Sequence, residues 1–509
     1  MSNELLINVT PSESRVALVE NGLLQELHLE RTDDISYVGN IYLGRVERVL
    51  PGMQAAFVNI GLDRTAFLHA SEIARPRSEL EEVVQGSRKP ELDVRALIER
   101  ANEPPLPLIT DLLHQGQELL VQVIKDPLGS KGARLTTQLS LPSRYLVYLP
   151  TDEATIGISL RIEDETERER LRDLVLPILS PDQPAGIIVR TNAEGIGADE
   201  LVRDLDYLRR LWARIGKRMQ DQPKPGDCVY EELSLPLRAI RDWMNAGIDR
   251  VRIDDAATLA RARDFTASII QEWSDRIEAY NGIGPLFDLF GVEDEIERAL
   301  KRNVPLKSGG YLTIDQTEAM TTIDVNTGAY VGVRNFSETI FKTNLEAAQA
   351  LARQLRLRNL GGIIIIDFID MDDEGHKSQV LRTLNQALAR DPARTNVLEI
   401  SALGLVEMTR KRTTESLGHR LCEPCPDCSG RGWQKSVETI CSEIFREILR
   451  AVRQFETGQL RVLAATPVVE KILEEHTRTI AELTEQLGTE IRFQPEDQYS
   501  QEQFDVVLL

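Results

Sequence analysis

Thr321-Thr322-Ile323-Asp324-Val325-Asn326-Thr327-Gly328 and Gly361-Gly362-Ile363-Ile364-Ile365-Ile366-Asp367-Phe368 are the two stretches on which the fold turns. Each is a short apolar, β-branched run that ends in an aspartate, and residues 336–357 between them carry the period of a long helix. Strand, helix, strand with uniformly apolar runs predicts an α/β sheet covered on its faces. Positions i and i+2 of a strand share a face, so Asp324 and Asn326 can present oxygens together. Polar groups just beyond the carboxyl ends of such strands are the usual place for a site in an open α/β sheet. Two aspartates and an amide, without thiol or imidazole nearby, are hard oxygen donors that suit Mg2+ or Mn2+ better than zinc. The plainer reading makes each aspartate the cap of the helix that follows. Asp370, Asp372 and Asp373 read as a solvated turn.

Working outward, residues 1–35 read as two or three strands with a turn at Asn21-Gly22. Short β-type runs follow at residues 39–44, 55–60 and 65–68, and strand character resumes at 118–124 after a charged, Pro-containing stretch at 75–107. Short strands with glycine turns, closing across a long surface insertion, predict a small barrel such as an OB fold. Phe57 and Phe67 flank turns in that barrel, and Lys131 lies downstream in Gly129-Ser130-Lys131-Gly132-Ala133. Aromatic platforms with a basic residue are how OB folds hold single strands, although core packing is the simpler reading of both phenylalanines. Strands and helices alternate over 140–220, with a β run at 186–190 leading into Thr191-Asn192 and a helical period over 198–218. Pro223-Lys224-Pro225-Gly226 is the clearest linker, residues 235–300 look α/β, and a helix over 437–455 opens a small α/β tail. Basic clusters at 353–358 and at Thr409-Arg410-Lys411-Arg412 are either solvated faces or tracks for phosphates.

The chain's 509 residues, 42% hydrophobic and 28% charged, are ordinary for a globular protein of roughly three to five domains. The longest apolar run, near 361–366, is far short of a bilayer span, and the N-terminus lacks the pattern of a secretory signal. A cytoplasmic protein is expected. A net charge of −21 argues mildly against nucleic acid, because phosphates are held by Lys and Arg, but it says nothing about local patches.

Of the five cysteines, three crowd into Cys422-Glu423-Pro424-Cys425-Pro426-Asp427-Cys428-Ser429-Gly430-Arg431-Gly432. Cys-x-x-Cys is half of a tetrahedral zinc site; the three thiols here overlap in that spacing, and no separate Cys-x-x-Cys exists elsewhere in the chain. Either His419 completes an unusual local site, or a second subunit supplies the other pair across a two-fold axis. A redox Cys-x-x-Cys would instead stand at the start of a helix after a strand, which the Ser-Gly-Arg-Gly knuckle does not resemble.

Taken together, Thr322-Ile323-Asp324-Val325-Asn326, the run from Gly361 through Asp367-Phe368-Ile369-Asp370-Met371, and Cys425-Pro426-Asp427-Cys428-Ser429-Gly430 resemble the signatures of the ribonuclease E/G family. Gly44-Arg45-Val46, Phe57-Val58-Asn59-Ile60-Gly61 and Val189-Arg190-Thr191 fit it too. The short reach beyond the cysteines and the extra Cys422 resemble members without a long scaffold tail. The resemblance implies a Mg2+-dependent endoribonuclease that cuts single-stranded RNA to 5′-monophosphate and 3′-hydroxyl ends, in rRNA maturation and mRNA decay. It implies that Asp324 and Asp367 hold the catalytic Mg2+ and that Asn326 orients the scissile phosphate or its attacking water. On the same basis Arg190 and Thr191 would take a 5′-monophosphate, and Phe57, Phe67 and Lys131 would clamp RNA. Cys425 and Cys428 would share structural Zn2+ between the subunits of a homodimer or a larger assembly.

The implied order begins with a first RNase H-like segment (1–35), an OB-fold barrel (36–139), a 5′-sensor region (140–226) and a second RNase H-like segment (227–300). A DNase I-like α/β catalytic domain (301–418), a zinc link (419–433) and a small C-terminal α/β domain (434–509) follow. Two other classes compete: a non-catalytic RNA-binding assembly factor, which has no need of two strand-end carboxylates, and another Mg2+-dependent phosphoryl-transfer enzyme. The latter would usually carry a Gly-x-x-x-x-Gly-Lys-Ser/Thr loop, and none is present.

Overall fold

The computed structural model describes residues 2–73, 107–127, 131–152, 155–162, 164–179, 185–244, 247–269, 271–328, 336–401, 403–412, 414–428, 430–454 and 459–509. The insertion expected at 75–107 lies almost wholly outside them. Two compact units result, Met1–Leu417 and Gly418–Leu509. No helix among the described residues is long and apolar enough to cross a membrane.

The first unit begins with a sheet shared by distant segments of the chain. Asn3–Val9, Glu13–Glu20 and Leu23–Arg31 form an antiparallel meander, and Asn3–Val9 also pairs in parallel with Arg250–Ile253, Leu5 lying opposite Val251. Ile277–Ala279 extends the same edge. The second hairpin turns through Asn21 (φ 52°) and Gly22 (φ 77°), the left-handed pair that matches strand twist. Everything between Arg31 and Arg250 is therefore inserted into one sheet.

That insertion opens with a closed barrel. Ile41–Leu50, Ala55–Asn59, Ala66–His69, Arg134–Thr136 and Glu118–Lys125 pair in that order, and Glu118–Lys125 returns to Ile41–Leu50. Its interior is filled by Val46, Ala56, Val58, Ala66, Leu68, Val121, Val123 and Leu135. Closure leaves the barrel strands few free edges. Next, Gly186–Val189 and Leu146–Leu149 form the middle of a four-stranded sheet, backed by the helix Ala198–Gln220. That helix buries Leu201, Leu205, Leu208, Leu211 and Ile215, the spacing of one helical face.

The last sheet of this unit runs Asn303–Pro305, Tyr311–Gln316, Met320–Asn326, Gly362–Asp367, Leu405–Arg410, Thr395–Ile400. Phe336–Leu357 and Glu374–Leu388 both pack on one face, against Ile323, Val325, Ile364, Ile366, Val406 and Met408. A sheet covered on both faces was expected, and the structure corrects this. Thr322, Asp324, Ile363, Asp367, Glu407 and Thr409 are exposed on the other face. The uniform run of isoleucines reflects strand preference as well as burial, since β-branched side chains favour the pleated backbone wherever they point.

The second unit pairs Gln459–Ala464 with Glu490–Pro495 and Phe504–Leu508, with helices at Val437–Gln454, Thr466–Glu475 and Thr477–Leu487. Ile440, Ile444 and Ile448 of the first helix pack on Leu460 and Val462 of the central strand.

Candidate active site and flanking surfaces

Met320–Asn326 and Gly362–Asp367 run in parallel with Asp324 directly opposite Asp367. Both carboxylates stand on the open face, and the Asn326 amide donates to Asp324 Oδ2 at 2.8 Å. Burial and the nearby carboxylates Asp324 and Asp370 push the Asp367 carboxyl above its ordinary value. Thr327-Gly328 then turns the chain: Gly328 has φ 63°, and a Cβ there would lie 2.3 Å from the Gly309 carbonyl oxygen. Helix capping falls to Asp373, whose carboxylate accepts from the N–H groups of Gly375 and His376. Asp324 and Asp367 are thus free of the capping role. No group of three or more His, Cys, Asp or Glu converges on a metal position among the described residues. Two carboxylates with one amide beside them fit a hard divalent cation that keeps most of its water, as Mg2+ does.

Asn344, fully buried on the helix Phe336–Leu357, holds the chain just past Asp367. Its Nδ2 donates to the Ile369 carbonyl at 2.8 Å, and its Oδ1 accepts from the Ile369 N–H at 3.2 Å. This amide clamp imitates a strand pairing and fixes the backbone between Asp367 and Asp370. The sequence reading missed it, because an Asn within an amphipathic helix carries no local signal.

On the barrel, Phe57 and Phe67 are cross-strand partners with ring centroids 6.3 Å apart at 68°. They are half-buried on the outside, and the interior is taken by Ala56, Val58, Ala66 and Leu68. Core packing, the simpler reading, is therefore not what the structure shows. The register places Arg48 beside Phe57, Arg134 beside Phe67, and Lys125 beside Arg134. Arg48 and Lys125 flank the two rings on the barrel wall, whereas Arg134 is paired to the buried Glu72 at 2.9 Å, and only the aromatic half of this surface was legible in the sequence. Lys131 is exposed, and Gly132 after it passes so close to Thr65 that a Cβ would lie 1.9 Å from the Thr65 oxygen. Gly129 and Ser130 lie outside the described residues.

Arg190 follows Gly186–Val189 and Thr191 opens the short helix Thr191–Ala193. The Arg190 Nη1 donates to the Ser143 carbonyl and, at 2.7 Å, to Asp242 Oδ1. The cluster 353–358 is neither a solvated face nor a phosphate track. Arg353 bonds Glu295 and the Leu24 carbonyl, Arg356 bonds Glu26 at 2.7 Å, and Arg358 is buried. In the second cluster Arg410 is buried against Asp391 at 2.7 Å, whereas Lys411 and Arg412 are exposed.

In the second unit Cys425 and Cys428 interact with each other, and all five cysteines are unbridged. The Gly432 N–H lies 3.4 Å from Cys428 Sγ, and this donor, followed by Gly430, Cys425 and Arg431, draws the Cys428 thiol below its ordinary value. Backbone donors around a sulfur favour thiolate, the form that binds metal. The pair stands in an irregular segment, well before the helix that starts at Val437, and so lacks the redox arrangement. No group of three or more His, Cys, Asp or Glu converges here among the described residues. Two thiols fit half of a tetrahedral zinc site.

An open-faced α/β sheet with paired strand-end carboxylates, a barrel with aromatic and basic side chains outside, and a cysteine knuckle together define a nuclease-like assembly. Comparison with known proteins agrees. A model described as the Ribonuclease E/G family matches residues 140–413, and one described as RNase E/G, Thioredoxin-like domain, matches residues 424–508. Ribonuclease G of Escherichia coli is 52% identical over 509 residues, covering 100% of both chains. Ribonuclease G of Haemophilus influenzae is 48% identical over 99% of each chain. Ribonuclease E of Escherichia coli is 37% identical over 99% of this chain and 46% of its own length. The chain belongs to the ribonuclease E/G family.

Proposed function

We propose that the protein is a Mg2+-dependent endoribonuclease that hydrolyses single-stranded RNA to 5′-monophosphate and 3′-hydroxyl ends. The observation that carries the reading is the in-register Asp324–Asp367 pair with Asn326 bonded to it on an open sheet face. Asp324 and Asp367 hold the divalent cation, and Asn326, whose amide donates to Asp324, orients the scissile phosphate or its attacking water. When bound, such a cation supplies charge stabilisation for the phosphate under attack. Water attacks phosphorus, the bond to the 3′-oxygen breaks, and that oxygen leaves with a proton.

The sheet of residues 303–410 serves as a DNase I-like catalytic domain, and the barrel as an OB fold. The sheet completed by Arg250–Ile253 serves as a split RNase H-like domain. Phe57 and Phe67 stack bases while Lys131, with Arg48 and Lys125 on the barrel wall, meets phosphates. Arg190 and Thr191 take a 5′-monophosphate, so that RNA with that end is preferred. Cys425 and Cys428 share Zn2+ with a second copy of the chain, and the enzyme acts in the cytoplasm on rRNA precursors and mRNA.

The test is an A/U-rich oligonucleotide carrying a 5′-monophosphate or a 5′-hydroxyl, incubated with the protein with and without Mg2+. Internal cuts that need Mg2+ and leave new 5′-monophosphates are expected. Tight binding without cutting would instead make the protein an RNA-binding assembly factor.

A further inference from the structure

Asp242 ends the helix Leu235–Trp243, whose Leu235, Ala239 and Ile240 pack with Leu5, Val16 and Val251 of the sheet shared by distant chain segments. Its carboxylate nevertheless serves Arg190, which closes a strand of a different sheet. Oδ1 accepts from Arg190 Nη1 at 2.7 Å and from Arg241 Nε at 3.2 Å, and Oδ2 accepts from Arg241 Nη2 at 3.0 Å. Arg241 is buried and is itself held by Glu232 at 2.8 Å. The same helix end is gripped twice more: Arg144 Nη1 donates to the Arg241 carbonyl at 3.2 Å and Asn192 Nδ2 to the Asp242 carbonyl at 3.3 Å.

A guanidinium has five N–H groups in one plane. The two on Arg190 Nη1 are occupied by the Ser143 carbonyl and Asp242. Its Nε and Nη2 donate to no group among the described residues, and the side chain keeps 27% of its exposure. Together they form the parallel fork with which arginine takes two oxygens of a phosphate. Three guanidinium groups, Arg144, Arg190 and Arg241, stand here against Glu232 and Asp242. The buried Asp204 accepts from Ser143 Oγ at 2.6 Å and from the N–H groups of Tyr145 and Leu146. Asp242 engages only one nitrogen of Arg190, so the carboxylate that fixes the guanidinium leaves its other edge to meet an incoming phosphate.

We infer that Asp242 is a positioning residue for a terminal phosphate, holding Arg190 by one nitrogen so that its free fork meets the RNA 5′ end. The inference rests on the reading of Arg190 and Thr191 as the 5′-monophosphate pocket. It also brings the end of the helix Leu235–Trp243 into that pocket's frame.

The experiment compares wild type, Asp242→Ala, Asp242→Asn and Arg190→Ala. Labelled A/U-rich RNA with a 5′-monophosphate or a 5′-hydroxyl is titrated in EDTA by anisotropy, then cut at saturating Mg2+ under single turnover. For wild type the ratio of affinities for the two ends should be about 10- to 100-fold, the range of a charge-assisted pair. Asp242→Ala should bring that ratio close to the value for Arg190→Ala, with the loss in KM for monophosphorylated RNA rather than in kcat. Asp242→Asn, which keeps an acceptor oxygen, should retain some of it. A ratio unchanged in Asp242→Ala but lost in Arg190→Ala overturns the positioning role and leaves the pocket standing. A ratio unchanged in both overturns both. A ratio that rises means that Asp242 competes with phosphate, which also overturns the inference. Equal loss on both RNAs with a lower melting temperature makes the role structural and does the same. If the alanine variant does not fold, the asparagine variant decides, an unchanged ratio counting against.

Discussion

Replacing Asp367 with Asn should make the protein more stable while removing its activity. Asp324 and Asp367 sit opposite each other on adjacent parallel strands and on one face. Neighbouring strands are about 4.8 Å apart, so the two charges stand roughly 5 Å from one another. Their repulsion is about 0.8 kcal/mol in bulk water and about 3 kcal/mol at an effective dielectric of 20. Both side chains are exposed, so solvent and salt hold the net effect near the lower figure, about 1 kcal/mol. The sign of the pH dependence follows from the raised Asp367 pKa. A carboxyl raised on folding costs stability when ionised, and the cost is relieved as pH falls through its folded value. In EDTA at neutral pH, Asp367→Asn should therefore unfold at a higher denaturant midpoint than wild type. The gap should close as pH falls through that raised value. Added Mg2+ should reverse the order, since a cation at 100 times its Kd stabilises wild type by about 2.7 kcal/mol and a variant lacking a ligand by much less. Single-turnover cleavage by Asp367→Asn, and by Asp324→Asn, should be abolished with RNA binding retained. An Asp367→Asn midpoint below that of wild type in EDTA, or near-normal cutting, would refute the paired-carboxylate site.

Three further outcomes are expected. Phe57→Ala with Phe67→Ala should weaken single-stranded RNA binding about 30-fold or more by anisotropy, from roughly 1–3 kcal/mol for each of two stacked bases. The barrel should stay folded because the rings lie outside its core, and wild-type affinity would remove the platform. Cys425→Ser with Cys428→Ser should lose zinc by elemental analysis and give monomers in light scattering. A dimer that keeps one zinc per chain would point to a local site. Asn344→Leu leaves the Ile369 N–H and carbonyl unpaired and should cost about 2 kcal/mol in urea unfolding. It should also raise the Mg2+ needed for half-maximal cutting, and an unchanged Mg2+ titration would reduce Asn344 to a stability role.

Local periodicity carried much of this architecture. The helix expected at roughly 336–357 could be read from its apolar spacing, and the Asn21-Gly22 turn from the left-handed pair it needs. The shared face of Asp324 and Asn326 follows from the two-residue period of a strand. Which residue stands opposite is another matter. Asp324 faces Asp367 only because two strands separated by a helix align at one register, and a slip of one residue would turn one carboxylate into the core. No pattern within either strand encodes that alignment; it is set by Ile323, Val325, Ile364 and Ile366 packing on one helical layer. The barrel shows the same division. Alternation of Ala56 and Val58 with Phe57 held the information that the ring points outward, because the narrow closed barrel is filled by aliphatic side chains and leaves no room inside for a ring at this position. Arg48 reaches Phe57 across a local hairpin, but Arg134 comes beside Phe67 only because strands far apart in sequence pair. Arg353 and Arg356 mark the sharpest limit. Their charge suggested either a solvated face or a track for phosphates, yet their partners Glu295, Leu24 and Glu26 lie in segments far away in sequence. A basic run is available for phosphates only when nothing folded back upon it is acidic, and that condition is a property of the topology.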